Sequence, residues 1–198
     1  MEYKLVLPGE QSYEWNHRSH LTLDYLKSYA SGDIFVETGT YLGDTVKLAL
    51  EHGFKKIHSI ELNKKLYDDA VEMFKDQSAV KIWLGDSAEI LPLIIDEIGN
   101  NRATFWLDAH ASGPLVGGKS GGSPVVDELN IIDKSVCKDH TIFIDDKRLF
   151  GSAEWSYVSL SSAMECLTKI NPNYKIDLLD GHIPNDVICA SISSWVKI

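Results

Sequence analysis

Residues 33–52 read DIFVETGTYLGDTVKLALEH, and this stretch decides the fold. Its first five residues are rich in β-branched and aromatic side chains, which suit a strand. Gly39 and Gly43 then permit a tight turn and a close backbone approach, and an amphipathic stretch follows over 44–52. Strand, glycine turn and helix together make the opening of a βαβ unit.

The same alternation recurs outward from this point. Further strands are predicted over 56–61 (KIHSIE), 79–84 (AVKIWL), 103–107 (ATFWL) and 140–144 (HTIFI). Helices are predicted over 63–75, 87–98 and 124–135, with Asp44, Asn63, Ser87 and Ser123 placed as caps. Near-continuous apolar strands fit a parallel sheet covered on both faces, so the expected architecture is α/β, Rossmann-like and doubly wound. After a helix over 159–170, NYKIDLL and DVICASI read as two strands joined by the turn DGHIPN. The expectation is therefore a mostly parallel seven-stranded sheet ending in an antiparallel hairpin.

At 198 residues the chain fits one domain, with 1–32 as a cap segment and 33–198 as the core. Leu21, Leu23, Leu26 and Tyr29 suggest a short helix packed on the sheet, with Trp15, Asn16, His17 and His20 just before it; a simple capping helix is the first reading and a substrate-contacting segment over the active-site rim the second. Residues 112–123, SGPLVGGKSGGS, hold five glycines between the fourth strand and the next helix, where a mobile loop is expected. A net charge of −10 argues against a phosphate-binding surface for nucleic acid and against anionic lipid. No stretch of 18 apolar residues and no apolar leader appear, so the default expectation is a cytoplasmic protein without membrane contact. Cys137, Cys166 and Cys189 are odd in number and form no CxxC pair, so buried free thiols are expected rather than a zinc site or a disulfide framework.

The turn after the first strand carries the cofactor signal. Its spacing is ExGxxxG, not the GxGxxG of dinucleotide binders. A carboxylate at the strand tip, Glu37, would repel a pyrophosphate but attract the ammonium of a methionine moiety. The cofactor's own carboxylate can then face the backbone N–H groups that open the next helix. This favours S-adenosylmethionine over NAD, with Glu37, Thr38, Gly39, Thr40, Gly43, Asp44 and Thr45 lining its site. Glu61 ends the second strand, where an acid can accept from ribose hydroxyls. After the third strand, Asp86 can accept from the adenine amino group and Ser87 can donate to a ring nitrogen; plain helix capping is the alternative for both.

Asp108 follows the fourth strand, and Asp145 and Asp146 follow the fifth. Neighbouring strand tips lie roughly 5 Å apart, so these carboxylates would repel unless a cation or proton sat between them. All-oxygen donors favour Mg²⁺ or Mn²⁺ over zinc; a loop cap is the plainer reading of Asp145 and Asp146. His110, two residues past Asp108, is placed to take a hydroxyl proton, with a structural role as the alternative. The other histidines, His20 and His182 among them, are expected at the surface or in packing. Arg148 is read equally as an acceptor contact or as neutralising the acidic pair. Trp155 and Tyr157 are read first as packing aromatics and second as a sugar-stacking surface, and Trp106 as core.

The series VETGTYLGDT, SIEL, LGDSAEIL and FWLDAH resembles the class I S-adenosylmethionine-dependent methyltransferases over residues 34–198, and a closing hairpin is the usual ending of that fold. Within them, LDAHASG paired with IDDKRLFG looks like the metal-dependent sugar O-methyltransferases of the macrocin type, and more narrowly like chlorella-virus domains that methylate rhamnose in glycans. The resemblance implies a divalent cation, most simply Mg²⁺, on Asp108, Asp145 and Asp146, with residue 110 as general base. Here residue 110 is His where the macrocin type often has Asp. It also implies a small-molecule or glycan acceptor and, for a viral chain, the host cytoplasm. A catechol- or phenol-type O-methyltransferase is the alternative, ahead of an NAD-dependent oxidoreductase or epimerase and of a non-catalytic ligand-binding module.

Overall fold

The computed structural model describes residues 19–109 and 123–192. Seven strands form one sheet in the order β3-β2-β1-β4-β5-β7-β6. They are β1 (Ile34–Thr38), β2 (Lys56–Glu61), β3 (Val80–Leu84), β4 (Ala103–Leu107), β5 (Thr141–Ile144), β6 (Lys175–Leu179) and β7 (Val187–Ser191). The first five strands are parallel, whereas β7 runs antiparallel to both β5 and β6. The expected doubly wound sheet with its closing hairpin is what the chain forms.

Among the described residues, six α-helices cover the two faces: α1 (Leu23–Tyr29), α2 (Asp44–His52), α3 (Lys64–Met73), α4 (Ser87–Ile98), α5 (Val125–Ile132) and α6 (Leu160–Ile170). Strand side chains alternate between two apolar layers. Val36, Phe105, Leu107, Ile142 and Ile144 pack with residues of α4, α5 and α6. Phe35, Ile57, Trp106 and Phe143 pack with residues of α1, α2 and α3. Because β1, β4 and β5 are covered on both sides, all their residues are buried; this is why they read as near-continuous apolar runs.

Several local expectations shift. Asn63 caps α3 as predicted, accepting from Lys65 N and Leu66 N. The cap of α4 is Asp86 rather than Ser87, and that of α2 is Gly43, with no side-chain bond from Asp44. Pro124 precedes α5 and has no side-chain cap bond; α5 also ends at Ile132, short of 135. Cys189 is buried, but Cys137 and Cys166 are only half-buried; all three are free. His140 is a core residue: its Nδ1 accepts from Ala103 N at 3.1 Å, its Nε2 meets Ser135 Oγ at 3.0 Å, and burial pushes its pKa down to about 4. Among the described residues, no helix is long and apolar enough to cross a membrane.

Strand order reverses between β1 and β4, since β2 and β3 lie to one side and β5 to the other. Open α/β sheets bind ligands outside the carboxyl ends of strands at such a switch point. Here the ends of β1 and β4 come close: a Cβ on Gly39, whose φ is +96°, would stand 2.8 Å from the Asp108 carbonyl oxygen. Gly39→Ala should therefore cost about 1–3 kcal/mol, measured by urea unfolding.

Candidate active site

The switch point puts Glu37 at the centre of the carboxyl edge. Only 1% exposed, its carboxylate takes a hydrogen bond on Oε2 from Ser59 Oγ at 2.6 Å, and Ser59 in turn meets Thr40 Oγ1 at 2.6 Å. Oε1 has no partner among the described residues. Thr45 lies beside the carboxylate, but its hydroxyl donates to Ser19 Oγ at 3.1 Å. Burial pushes the Glu37 pKa up to about 8, against the pull of the Ser59 and Thr45 hydroxyls. Leaving a buried acceptor unpaired costs about 1–3 kcal/mol, so an outside donor is the natural complement of Oε1.

The neighbouring turns are braced around this acid. Gly43, at φ +74°, leaves no room for a Cβ, which would stand 2.8 Å from the Phe74 ring. Glu61, 4% exposed, accepts from Tyr41 N at 2.9 Å and Asn63 N at 2.8 Å. Each of its oxygens thus spends one lone pair on backbone and keeps one for a ligand. Asp86 caps α4 through Ala88 N at 2.9 Å. Asp44 sits on the outer side of α2, paired with Lys47 Nζ at 2.8 Å.

Glu128, which sequence reasoning passed over, lies close to the same strand tips. It comes from α5, is 1% exposed, sits by the Ser87 and Thr38 hydroxyls, and leaves Oε1 without a partner among the described residues. Burial lifts its pKa to about 7, with the charges of Asp86 and Asp108 adding to the effect. Its only sequence signal was a charged residue within an otherwise apolar helical face.

A second acidic group lies two strands away. Asp145 and Asp146, each 3% exposed, follow β5, and the αL conformation of Asp146 (φ +57°) turns the chain into a 3₁₀ turn, Lys147–Leu149. Asp145 Oδ1 accepts from Asp146 N at 2.8 Å. His20 Nδ1 stands 3.1 Å and 2.8 Å from the two Asp145 oxygens. Burial raises the Asp145 pKa while His20 opposes this; in the reverse direction, the bond to Asp145 raises that of His20. Arg148 Nη1 binds Asp146 Oδ1 and Asp186 Oδ2, and Asp186 Oδ1 accepts from Arg148 N at 2.8 Å. Arg148 therefore neutralises carboxylates, one of its two expected roles.

Asp108 is half-buried at the tip of β4, its N–H donating to Thr38 O at 3.1 Å. Its charge acts on Asp145, His20, Glu37 and Glu128, so it lies between the two acidic groups. The described ligand atoms that gather within 4.8 Å of one another belong to His20, Asp145 and Asp146. His20 was expected at the surface or in packing, and its place on Asp145 corrects that. No local signal could reveal a contact spanning 125 residues. His110, Trp15, His17 and the loop over 112–122 fall outside the described residues. Trp155 is 3% exposed and packs on Phe150 at 4.8 Å, as expected of a packing aromatic, whereas Tyr157 is exposed.

No family model and no curated protein matches this chain. Solved structures do. A Streptococcus mutans protein described as a methyltransferase, in complex with SAH, aligns at TM-score 0.57 and 12% identity, over 85% of this chain and 94% of its own. A Clostridium thermocellum protein described as an rRNA methylase gives 0.56 and 14%, again over 85% and 94%. A Staphylococcus aureus protein described as a caffeoyl-CoA O-methyltransferase gives 0.53 and 13%, over 86% and 79%. At such identities the likeness is one of fold, and the fold is the Rossmann-like one of these methyltransferases.

Proposed function

We propose that this protein is an S-adenosylmethionine-dependent, divalent-metal-assisted O-methyltransferase acting on a sugar or glycan hydroxyl. The observation that carries the reading is the unpartnered, buried Oε1 of Glu37 at the switch point. An ammonium donor completes it and favours its ionised form, whereas a pyrophosphate brings no donor and more negative charge to a buried acid. The residues fit the cofactor. Glu37 would hold the amino group, the N–H groups that open α2 the carboxylate, Glu61 the ribose, and Asp86 with Ser87 the adenine. The fold, shared with proteins described as methyltransferases, supports the same reading.

Asp145 and Asp146, both buried, fit a hard cation placed beside that crevice. S-adenosylmethionine would supply the electrophilic methyl, and the cation would lower the pKa of the acceptor hydroxyl. The chain's own work is then orientation. Gly39 brings the β1 and β4 tips together, Asp108 stands between the two acidic groups, and His110 would accept the hydroxyl proton. Restriction to a sugar hydroxyl rests on the LDAHASG and IDDKRLFG motifs; activity that requires two adjacent phenolic hydroxyls would favour the catechol type instead.

Thermal-shift measurements with S-adenosylmethionine, S-adenosylhomocysteine and NAD, each with and without Mg²⁺, test the reading. A hundredfold excess over Kd should add about 2.7 kcal/mol, roughly 5–10 °C for a domain of this size, for the first two ligands only. Stabilisation by NAD alone would overturn it.

A further inference from the structure

We propose that His20 is a protein donor of the divalent-cation site, joining Asp145 and Asp146 in a mixed nitrogen–oxygen set. This inference rests on the metal-assisted reading above and deepens it. The spacing is the first argument. Magnesium-type ions hold their donors at about 2.0–2.1 Å in octahedral geometry, which sets adjacent donors about 3 Å apart. His20 Nδ1 lies 2.8 Å and 3.1 Å from the Asp145 oxygens, and an Asp146 oxygen falls within the same 4.8 Å group. One ion can therefore touch all three residues with small adjustments.

Charge is the second argument. Four carboxylates converge here, those of Asp108, Asp145, Asp146 and Asp186. Among the described residues, the guanidinium of Arg148 serves Asp146 and Asp186. Carboxylates taken out of water need compensation. A doubly charged ion supplies it and lets His20 bind as the neutral imidazole that metals require.

The position of His20 is built, not accidental. Leu21, 1% exposed, anchors the next residue in the core, and Thr22 caps α1. On the other side the His182 ring, from the β6–β7 turn, stands 5.9 Å from the His20 ring. Gly181 in that turn packs against Asp145, where a Cβ would stand 3.5 Å from Oδ1. The imidazole is thus held between the segment before α1 and the hairpin turn. An imidazole donor moves preference away from Mg²⁺ and toward first-row transition ions.

Electron paramagnetic resonance of Mn²⁺ added to the full chain tests this without reference to turnover. The expected result is one bound Mn²⁺ whose spectrum shows coupling to a directly coordinated nitrogen. His20→Ala should remove that coupling and weaken binding on the order of tenfold or more, a loss that even supporting residues of metal sites produce. Circular dichroism would confirm that the variant folds. If His20→Ala binds Mn²⁺ as the parent does and keeps the nitrogen signal, while Asp145→Asn with Asp146→Asn abolishes binding, His20 is not a ligand but the metal reading survives. If the parent chain binds no Mn²⁺ at millimolar concentration, both fall.

Discussion

Replacing Asp145 and Asp146 together by asparagine is expected to abolish methyl transfer while leaving S-adenosylmethionine affinity within about threefold. The two acids sit at the tip of β5, and Glu37 sits at the tip of β1, with β4 between them. That separation is two strand spacings, about 10 Å, so the cofactor's amino-acid end need not touch either aspartate. Asparagine keeps the shape of each side chain and an oxygen for the Asp146 N–H, and Arg148 keeps its bonds to Asp186. The fold should survive, as circular dichroism can verify. What disappears is the charge that holds a cation against the acceptor, and losing one such electrostatic contribution costs roughly 10²–10³ in kcat. Initial rates of S-adenosylhomocysteine release measure the first quantity and titration calorimetry the second. A parallel loss of both would show that the acidic pair and the cofactor crevice are a single site.

What could be read from the sequence, and what could not, follows from the range of the interactions. Strands β1, β4 and β5 announce themselves because burial on both faces leaves few polar positions, such as Glu37 and Thr104, to blur the pattern. The register of caps is harder: Asp86 and Ser87 are both good capping residues one position apart, and propensity does not choose between them. Only the backbone shows Asp86 in the extended conformation of a cap. Gly43 displaces Asp44 in the same way, because its φ of +74° puts the helix start one residue earlier. The acids at the strand tips were legible because the parallel topology sends every such tip to one edge. His20 and Glu128 were not, since neither lies at a strand tip. One arrives from the segment before α1 and the other from the buried side of α5, and each acquires its meaning from a contact that the linear chain does not contain.

The burial of Glu37 makes the affinity for S-adenosylmethionine depend on pH in a direction that can be stated in advance. In the ligand-free protein its pKa stands near 8, and that of Glu128 near 7, both above the usual carboxylate value of 4.5. At neutral pH Glu37 therefore holds a proton, and Glu128 holds one about half of the time, that the unfolded chain has lost. Their contribution to stability is fully present below pH 4.5 and is lost as pH rises to about 8, so the ligand-free melting temperature should fall between pH 6 and 8. An ammonium placed on Glu37 Oε1 favours the ionised carboxylate and reverses that trend at this residue. Binding below pH 8 must then release a proton from Glu37, and affinity should rise by up to about tenfold per pH unit. Above about pH 8 the ligand's own α-amino group loses its proton, so the profile should peak there and decline. Calorimetry in two buffers of different ionisation enthalpy counts the proton directly. Glu37→Gln, isosteric but unable to ionise, should flatten the rising limb and weaken binding by roughly 1.5–3 kcal/mol, the worth of a hydrogen bond to a charged group. An affinity that ignores pH between 6 and 8 in the parent protein, with no proton released, would mean that the cofactor's amino group lies elsewhere.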